Sequence, residues 1–167
     1  MHDQAPPPGD APKPADPLPD DEESAYDLLQ RGHLLMRQRH NAQAAVVLGR
    51  AARLEPGRGS ILEALGRAHF NAGQHELALD VFEALLEVDP VSHYAYYATA
   101  QCLRKAGRAE ESLTRLRLAC ALDPASALYR GALARAEAWL PADGGADEGD
   151  ADADVADEGD AGPTGEG

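Results

Sequence analysis

Apolar residues recur at helical spacing through the middle of the chain and thin out at both ends. Leu62, Leu65, Gly66, His69 and Phe70 stand at i, i+3, i+4, i+7 and i+8, which is one stripe of a helix. Past the Asn-Ala-Gly turn that closes at Gly73, a second stripe runs through Leu77, Ala78, Val81, Phe82, Leu85 and Val88. Residues 59–92 are therefore predicted to form two antiparallel amphipathic helices. Such a pair leaves apolar surface on both flanks, so it needs neighbours of its own kind to bury it.

Those neighbours are written at a period of 34 residues. Leu54-Glu55-Pro56, Val88-Asp89-Pro90 and Leu122-Asp123-Pro124 repeat one apolar-acid-Pro motif. Gly32, Gly66, Ala100 and Ala134 place a small residue where two helix backbones would approach closely. Ala44, Ala78 and Ser112 form a second small site, and Leu48, Phe82 and Leu116 supply a large side chain one turn later. Ser24, Ser92 and Ser126 share the phase of an N-cap; the second repeat has Arg58 there, with Ser60 expected to substitute.

With its period and its small-aromatic-Pro pattern, the chain resembles the tetratricopeptide repeat family from about Ser24 to Leu140. The resemblance implies an all-α fold: a right-handed superhelical stack of three helix pairs plus a C-terminal capping helix, with disordered arms. The pairs are expected over about 25–58, 59–92 and 93–126, and the cap over 127–140. Arg31 and Thr99 depart from the pattern, standing where the second repeat has Leu65. So does Arg39, which replaces the Gly of Gly73 and Gly107, and the turn inside the first pair is expected to differ. Trp139 is expected to pack its ring against the end of the array.

Charge divides the chain differently from its total of −14. Residues 1–23 hold seven acids and one Lys, residues 141–167 hold ten acids and no base, and residues 24–140 hold twelve acids and fourteen bases. The arms, rich in Pro at one end and in Asp, Glu, Gly and Ala at the other, cannot bury enough apolar surface to order themselves. Their acidity argues against a nucleic-acid partner. No apolar run reaches the ~18 residues that span a bilayer. Met1-His2-Asp3-Gln4 has neither the basic nor the apolar region of a signal peptide, so a cytoplasmic location and no membrane partner are expected.

Chemistry-bearing patterns are sparse. Asp150, Asp152 and Asp154 copy the opening of a calcium loop, but Val155 replaces the turn Gly and Ala161 the closing Glu. The six His residues make no zinc spacing, and no phosphate loop, nucleophile elbow or paired carboxylate motif occurs, so no enzyme activity, cofactor or metal is expected. Cys102 and Cys120 fall at apolar packing phases and are expected to be inert. His69 is expected to be half-buried, and His40, His75 and His93 to be solvated.

In the tetratricopeptide repeat family the first helix of each pair lines the concave side, where ligands usually lie. At those phases stand His33, Arg67, Gln101 and Arg135; Arg37, Asn71 and Lys105; Tyr94 and Tyr97; and Phe70 and Arg104, with Glu63 as the only acid. Arg and Lys on such a wall suit an acidic or C-terminal peptide segment of another protein. Leu29 and Glu63 stand near where a chaperone-tail carboxylate clamp wants basic or amide groups, so that ligand is not favoured. The expected function is a non-enzymatic protein-interaction scaffold, whose own acidic tail competes for the groove. A cargo chaperone like the three-repeat chaperones of type III secretion is the alternative, and plain solvated helix faces are the bland one. Nothing in the sequence specifies an oligomeric state.

Overall fold

In the computed structural model, which describes residues 23–139, every regular element is an α-helix. The order is α1 (Ala25–Arg37), α2 (Asn41–Leu54), α3 (Gly59–Asn71), α4 (His75–Val88), α5 (His93–Lys105), α6 (Ala109–Leu122) and α7 (Ala127–Trp139). First helices are all 13 residues long and second helices all 14, so the repeat is carried into length as well as phase. Each helix packs on its sequence neighbours, and α1 also reaches α3. The result is a solenoid with a continuous core and no closed bundle. The acidic tail, its calcium-like pattern and residues 1–22 of the Pro-rich arm lie outside the described residues; Glu23, at the arm's end, pairs with Arg31 and Arg50.

Serine caps start three of the four helices that begin a unit. Ser24 Oγ accepts from the Asp27 N–H at 3.1 Å while Asp27 Oδ2 accepts from the Ser24 N–H at 3.2 Å, closing a capping box. Ser92 and Ser126 accept from the N–H groups of Ala95 and Tyr129. Helix α3 differs: Arg58 at its N-cap offers no side-chain bond, and Ser60 does not replace it. The 34-residue phase starts α3 at Gly59, which puts Ser60 two residues past the N-cap position, inside the first turn.

The apolar-acid-Pro motifs build the links between pairs. Asp89 Oδ1 accepts from the Val91 N–H at 3.3 Å and Asp123 Oδ1 from the Ala125 N–H at 3.2 Å, both turns made by a short acid side chain. Glu55, one methylene longer, pairs instead with Arg58, and Gly57 adopts φ 77° in that link.

The turn inside the first pair does not differ from the others, against expectation. Arg39 adopts φ 60°, beside 77° for Gly73 and 75° for Gly107. The same bond spans each turn, from His40 N–H to Leu35 O, Gln74 N–H to His69 O and Arg108 N–H to Leu103 O, at 2.9 Å in all three. Stacking fixes the angle between the helices, and Arg39 takes a left-handed conformation that costs a non-glycine residue about 1 kcal/mol.

Paired small and large residues set the close approach of each hairpin. A Cβ added at Gly32 would lie 2.5 Å from the Leu48 side chain, and one at Gly66 2.6 Å from the Phe82 ring. Leu48, Phe82 and Leu116 are essentially buried, as are Leu28, Ile61 and Leu103. Burying each such side chain contributes roughly 1.5–3 kcal/mol. Ser112, at the second small site, donates its hydroxyl to Ala100 O at 2.8 Å. Thr99 is also fully buried, but its hydroxyl has no partner among the described residues. Trp139 departs from expectation: it exposes 52% of its surface, on a helix that buries only Tyr129 and Ala132.

Candidate functional site

The ladder positions lie on the first helices α1, α3 and α5 and on α7 in the same phase, and α1 packs on α3. On α3, Glu63, Arg67 and Asn71 rise at intervals of one turn. Arg67 Nη1 lies 3.9 Å from Glu63 Oε1, and the Arg67 side chain is only 16% exposed. Desolvation raises the pKa of the Glu63 carboxyl and Arg67 partly offsets it; Glu63 remains 45% exposed, so water screens much of the effect.

Helix α5 carries the centre of the wall. Tyr94 stands edge-on to Phe82, with ring centroids 6.1 Å apart, and burial raises its pKa well above the tyrosine range, against the pull of Arg67. Tyr97 departs from the expected free wall position. It is 3% exposed, and its ring lies 5.1 Å from that of the buried Tyr129 on α7. Burial also raises the Tyr97 pKa, with Arg135 and Arg104 acting in the opposite sense. Arg104 Nε donates to Gln101 Oε1 at 3.3 Å.

Two histidines expected in solvent belong to this wall's edge. His75 packs its ring 5.0 Å from Phe70. Its pKa is lowered, first by desolvation and then by Lys105 and Arg104, whose charges resist a third cation. His93 is exposed, as expected, but its Nδ1 lies 2.9 Å from the Tyr129 hydroxyl. His75 was legible in principle: it repeats the phase of Asn41, whose Nδ2 donates to Asn71 O at 3.3 Å. Asn41 thus leans on the end of the next first helix, and His75, at the same phase 34 residues on, leans on Phe70 near the end of its own pair's first helix.

Arg67, Phe70, Tyr94, Gln101, Arg104, Lys105 and Arg135 are thereby linked through contacts and mutual electrostatics. Asn71 is exposed at the end of α3. His33 is half-buried and Arg37 exposed on α1, farther along the same phases. His69, half-buried as expected, has its Nδ1 2.7 Å from Gln74 Oε1. Arg31, Arg50, Arg58, Arg108, Arg115 and Arg117 sit outside these ladders and are paired with acids there.

Both cysteines are free thiols: Cys102 is buried and its pKa is pushed up to about 12 by desolvation, while Cys120 is half-buried and raised for the same reason. Among the described residues no cluster of His, Cys, Asp and Glu could hold a metal ion, and no helix is long and apolar enough to cross a membrane.

The sequence profile described as Tetratricopeptide repeat matches residues 29–87 and again 63–127. The chain belongs to the tetratricopeptide repeat family. No curated protein matches the sequence. Among solved structures, MamA from Desulfovibrio magneticus RS-1, residues 41 to the end, is 23% identical over 70% of this chain and 66% of that one, with a TM-score of 0.67. This chain therefore spans just under two thirds of that solved chain's length. The first tetratricopeptide repeat domain of Spaghetti (RPAP3), bound to an HSP90 peptide, is 14% identical over 71% of this chain and 94% of its own, with a TM-score of 0.66. The Yersinia enterocolitica type III secretion chaperone SycD, in complex with a peptide of the translocator YopD, is 18% identical over 68% and 86%, with a TM-score of 0.60. At these identities the likeness is one of fold.

Proposed function

We infer that this tetratricopeptide repeat protein is a non-enzymatic scaffold that holds an acidic or C-terminal peptide segment of another protein against the wall of α3, α5 and α7. What supports the reading is the recurrence of Arg67, Arg104, Lys105 and Arg135 in the ladder phases of the first helices, where Glu63 is the only acid. A wall of one sign focuses its field, and guanidinium forks fit carboxylates. His33, Arg37, Asn71 and Gln101 extend the surface with donors, and Phe70 and Tyr94 with apolar area. The acidic peptide SRMEEVD held by the Spaghetti domain is consistent with an occupant of this class.

The ten acids of residues 141–167 are a built-in competitor for the same face. Removing residues 142–167 is expected to shift the amide resonances of Arg67, Asn71 and Lys105 at low salt; unchanged resonances would end that part of the reading.

The likeness to SycD favours a second reading, a cargo chaperone gripping apolar segments. A peptide array separates the two. Binding of acidic peptides that weakens with salt and is abolished in an Arg67→Glu, Lys105→Glu double variant supports the scaffold. Salt-insensitive retention of apolar peptides by both proteins would favour the chaperone.

A further inference from the structure

We propose that the acidic end of the N-terminal arm, residues 18–22, docks on the open side of the first hairpin, its acids on Arg31, Arg50 and Arg53 and its Leu18 on Leu34. These arginines stand outside the cation ladders, so this docking is independent of the peptide reading above. The repeat itself shows which side is uncovered. Leu34 falls at the phase of Ala68 and Cys102, which are 0% and 1% exposed in cores shared with the second helix of the preceding pair. No pair precedes α1 among the described residues, and Leu34 is 45% exposed. Asp27, Gln30 and Arg31 take the phases of the buried Ile61, Ala64 and Leu65. A polar side with one leucine does not suit another hairpin; it suits a charged, extended segment.

Glu23 marks where the arm arrives. Both of its carboxylate oxygens lie 3.1 Å from Arg31 Nη1 and one lies 3.6 Å from Arg50 Nη1, so the residue just before the Ser24 cap already bridges α1 and α2. The Arg31 and Arg50 side chains remain 54% and 51% exposed, with room for further acids. Arg53, one turn beyond Arg50 on the same side of α2, is exposed and has no ion pair among the described residues. Residues 24–54 hold five Arg against the single acid Asp27, whose carboxylate is turned back on Ser24 in the capping box. Immediately ahead of Glu23 the sequence runs Pro17-Leu18-Pro19-Asp20-Asp21-Glu22. Pro17 and Pro19 favour an extended chain, which at ~3.1 Å per residue carries Leu18 about 15 Å from Glu23. Leu34 stands ten residues along α1 from Ser24, also about 15 Å at the helical rise. Leu18 thus reaches Leu34 when the arm runs back beside α1, and its acids then pass over the arginines. A lone exposed ion pair contributes little, but a run of acids on three guanidiniums makes a network.

The test is nuclear magnetic resonance of the labelled full chain at low ionic strength, reading the Nε–Hε signals of Arg31, Arg50 and Arg53 and the methyls of Leu34. A near variant carries Asp20→Asn, Asp21→Asn and Glu22→Gln; a far variant of equal charge carries Asp3→Asn, Asp10→Asn and Asp16→Asn. The near variant is expected to shift all three arginine signals and the far variant to leave them in place. Leu18→Ala should shift the Leu34 methyls. At about 1 M salt, where the screening length is about 3 Å, the near variant and the wild type should give the same arginine signals. All these substitutions precede α1, so helix amides that keep their positions elsewhere show an intact fold. Arginine signals unmoved in the near variant, or moved equally in both, refute the docking. Signals that move on removal of residues 142–167 and not in the near variant give this side to the C-terminal tail instead. Shifts that depend on protein concentration give it to the arm of a second copy, and either result overturns the contact within one chain.

Discussion

Replacing Gly66 with Ala sets two effects of opposite sign against each other, and the structure decides between them. Alanine is a better helix former than glycine by about 1 kcal/mol, which alone would stabilise α3. The new methyl, however, would lie 2.6, 2.7 and 2.9 Å from three atoms of the Phe82 ring. Phe82 is 1% exposed and its ring is flat and rigid, so the overlap cannot be relieved by turning a flexible tip aside. Helices α3 and α4 must separate, an overpacking cost of about 3 kcal/mol at the upper end of the usual range. The net loss is about 2 kcal/mol, or roughly 8 °C in melting temperature for a domain of this size.

The third pair shows the remedy, since Ala100 faces Leu116 there in the positions of Gly66 and Phe82, and Leu116 is 2% exposed. Phe82→Leu alone should cost about 1 kcal/mol through lost volume. Combined with Gly66→Ala it should recover part of that variant's loss, giving a coupling of at least about 1 kcal/mol. Urea and thermal denaturation of the full chain, followed by far-ultraviolet circular dichroism, would measure all four proteins. A Gly66→Ala variant more stable than wild type, or strictly additive effects, would refute the close-approach account.

Arg39→Gly should raise stability by about 1 kcal/mol in the same assay, because glycine adopts φ 60° without strain; a loss would mean that the left-handed turn is not strained. Thr99→Val, of similar shape, should gain about 1 kcal/mol by removing a buried hydroxyl that has no partner, and a loss of that size would show that the hydroxyl is bonded. His75 titrates below its ordinary 6.5 in the folded state, so the unfolded chain takes up a proton that the fold resists. The stability from its neutral ring is full above pH 6.5 and is lost as pH falls through the folded pKa. Between pH 7.5 and 5.5 the wild-type melting temperature should therefore fall further than that of His75→Gln; equal falls would exclude His75 as the cause.

What the sequence made legible was whatever recurs with the period. The small–large pairs at Gly32 and Leu48 and at Gly66 and Phe82, the caps at Ser24, Ser92 and Ser126, and the half-buried His69 all follow from positions that one unit shares with the next. Reading failed where a single residue departs from its phase, because the stack then overrules local preference. Arg39 is bent into a glycine's conformation, and Ser60 is carried past the cap. It failed also where burial depends on which side chains meet across helices. Tyr97 disappears beneath Tyr129, His75 tucks against Phe70, and Trp139 stays half in solvent. The cation ladders are a spacing in the sequence, whereas the buried hydroxyl of Tyr94 could be recognised only once its neighbours were in place.

Because each helix leans mainly on those next to it in the chain, tension applied between the ends would find no long-range clasp to break. The array should behave as a spring that bends by small slips between hairpins and then peels unit by unit. Peeling would begin at α7, which has only Tyr129 and Ala132 tucked under its neighbours. A protein pulling on that end would loosen the Arg135 corner first, while the middle hairpins kept their shape.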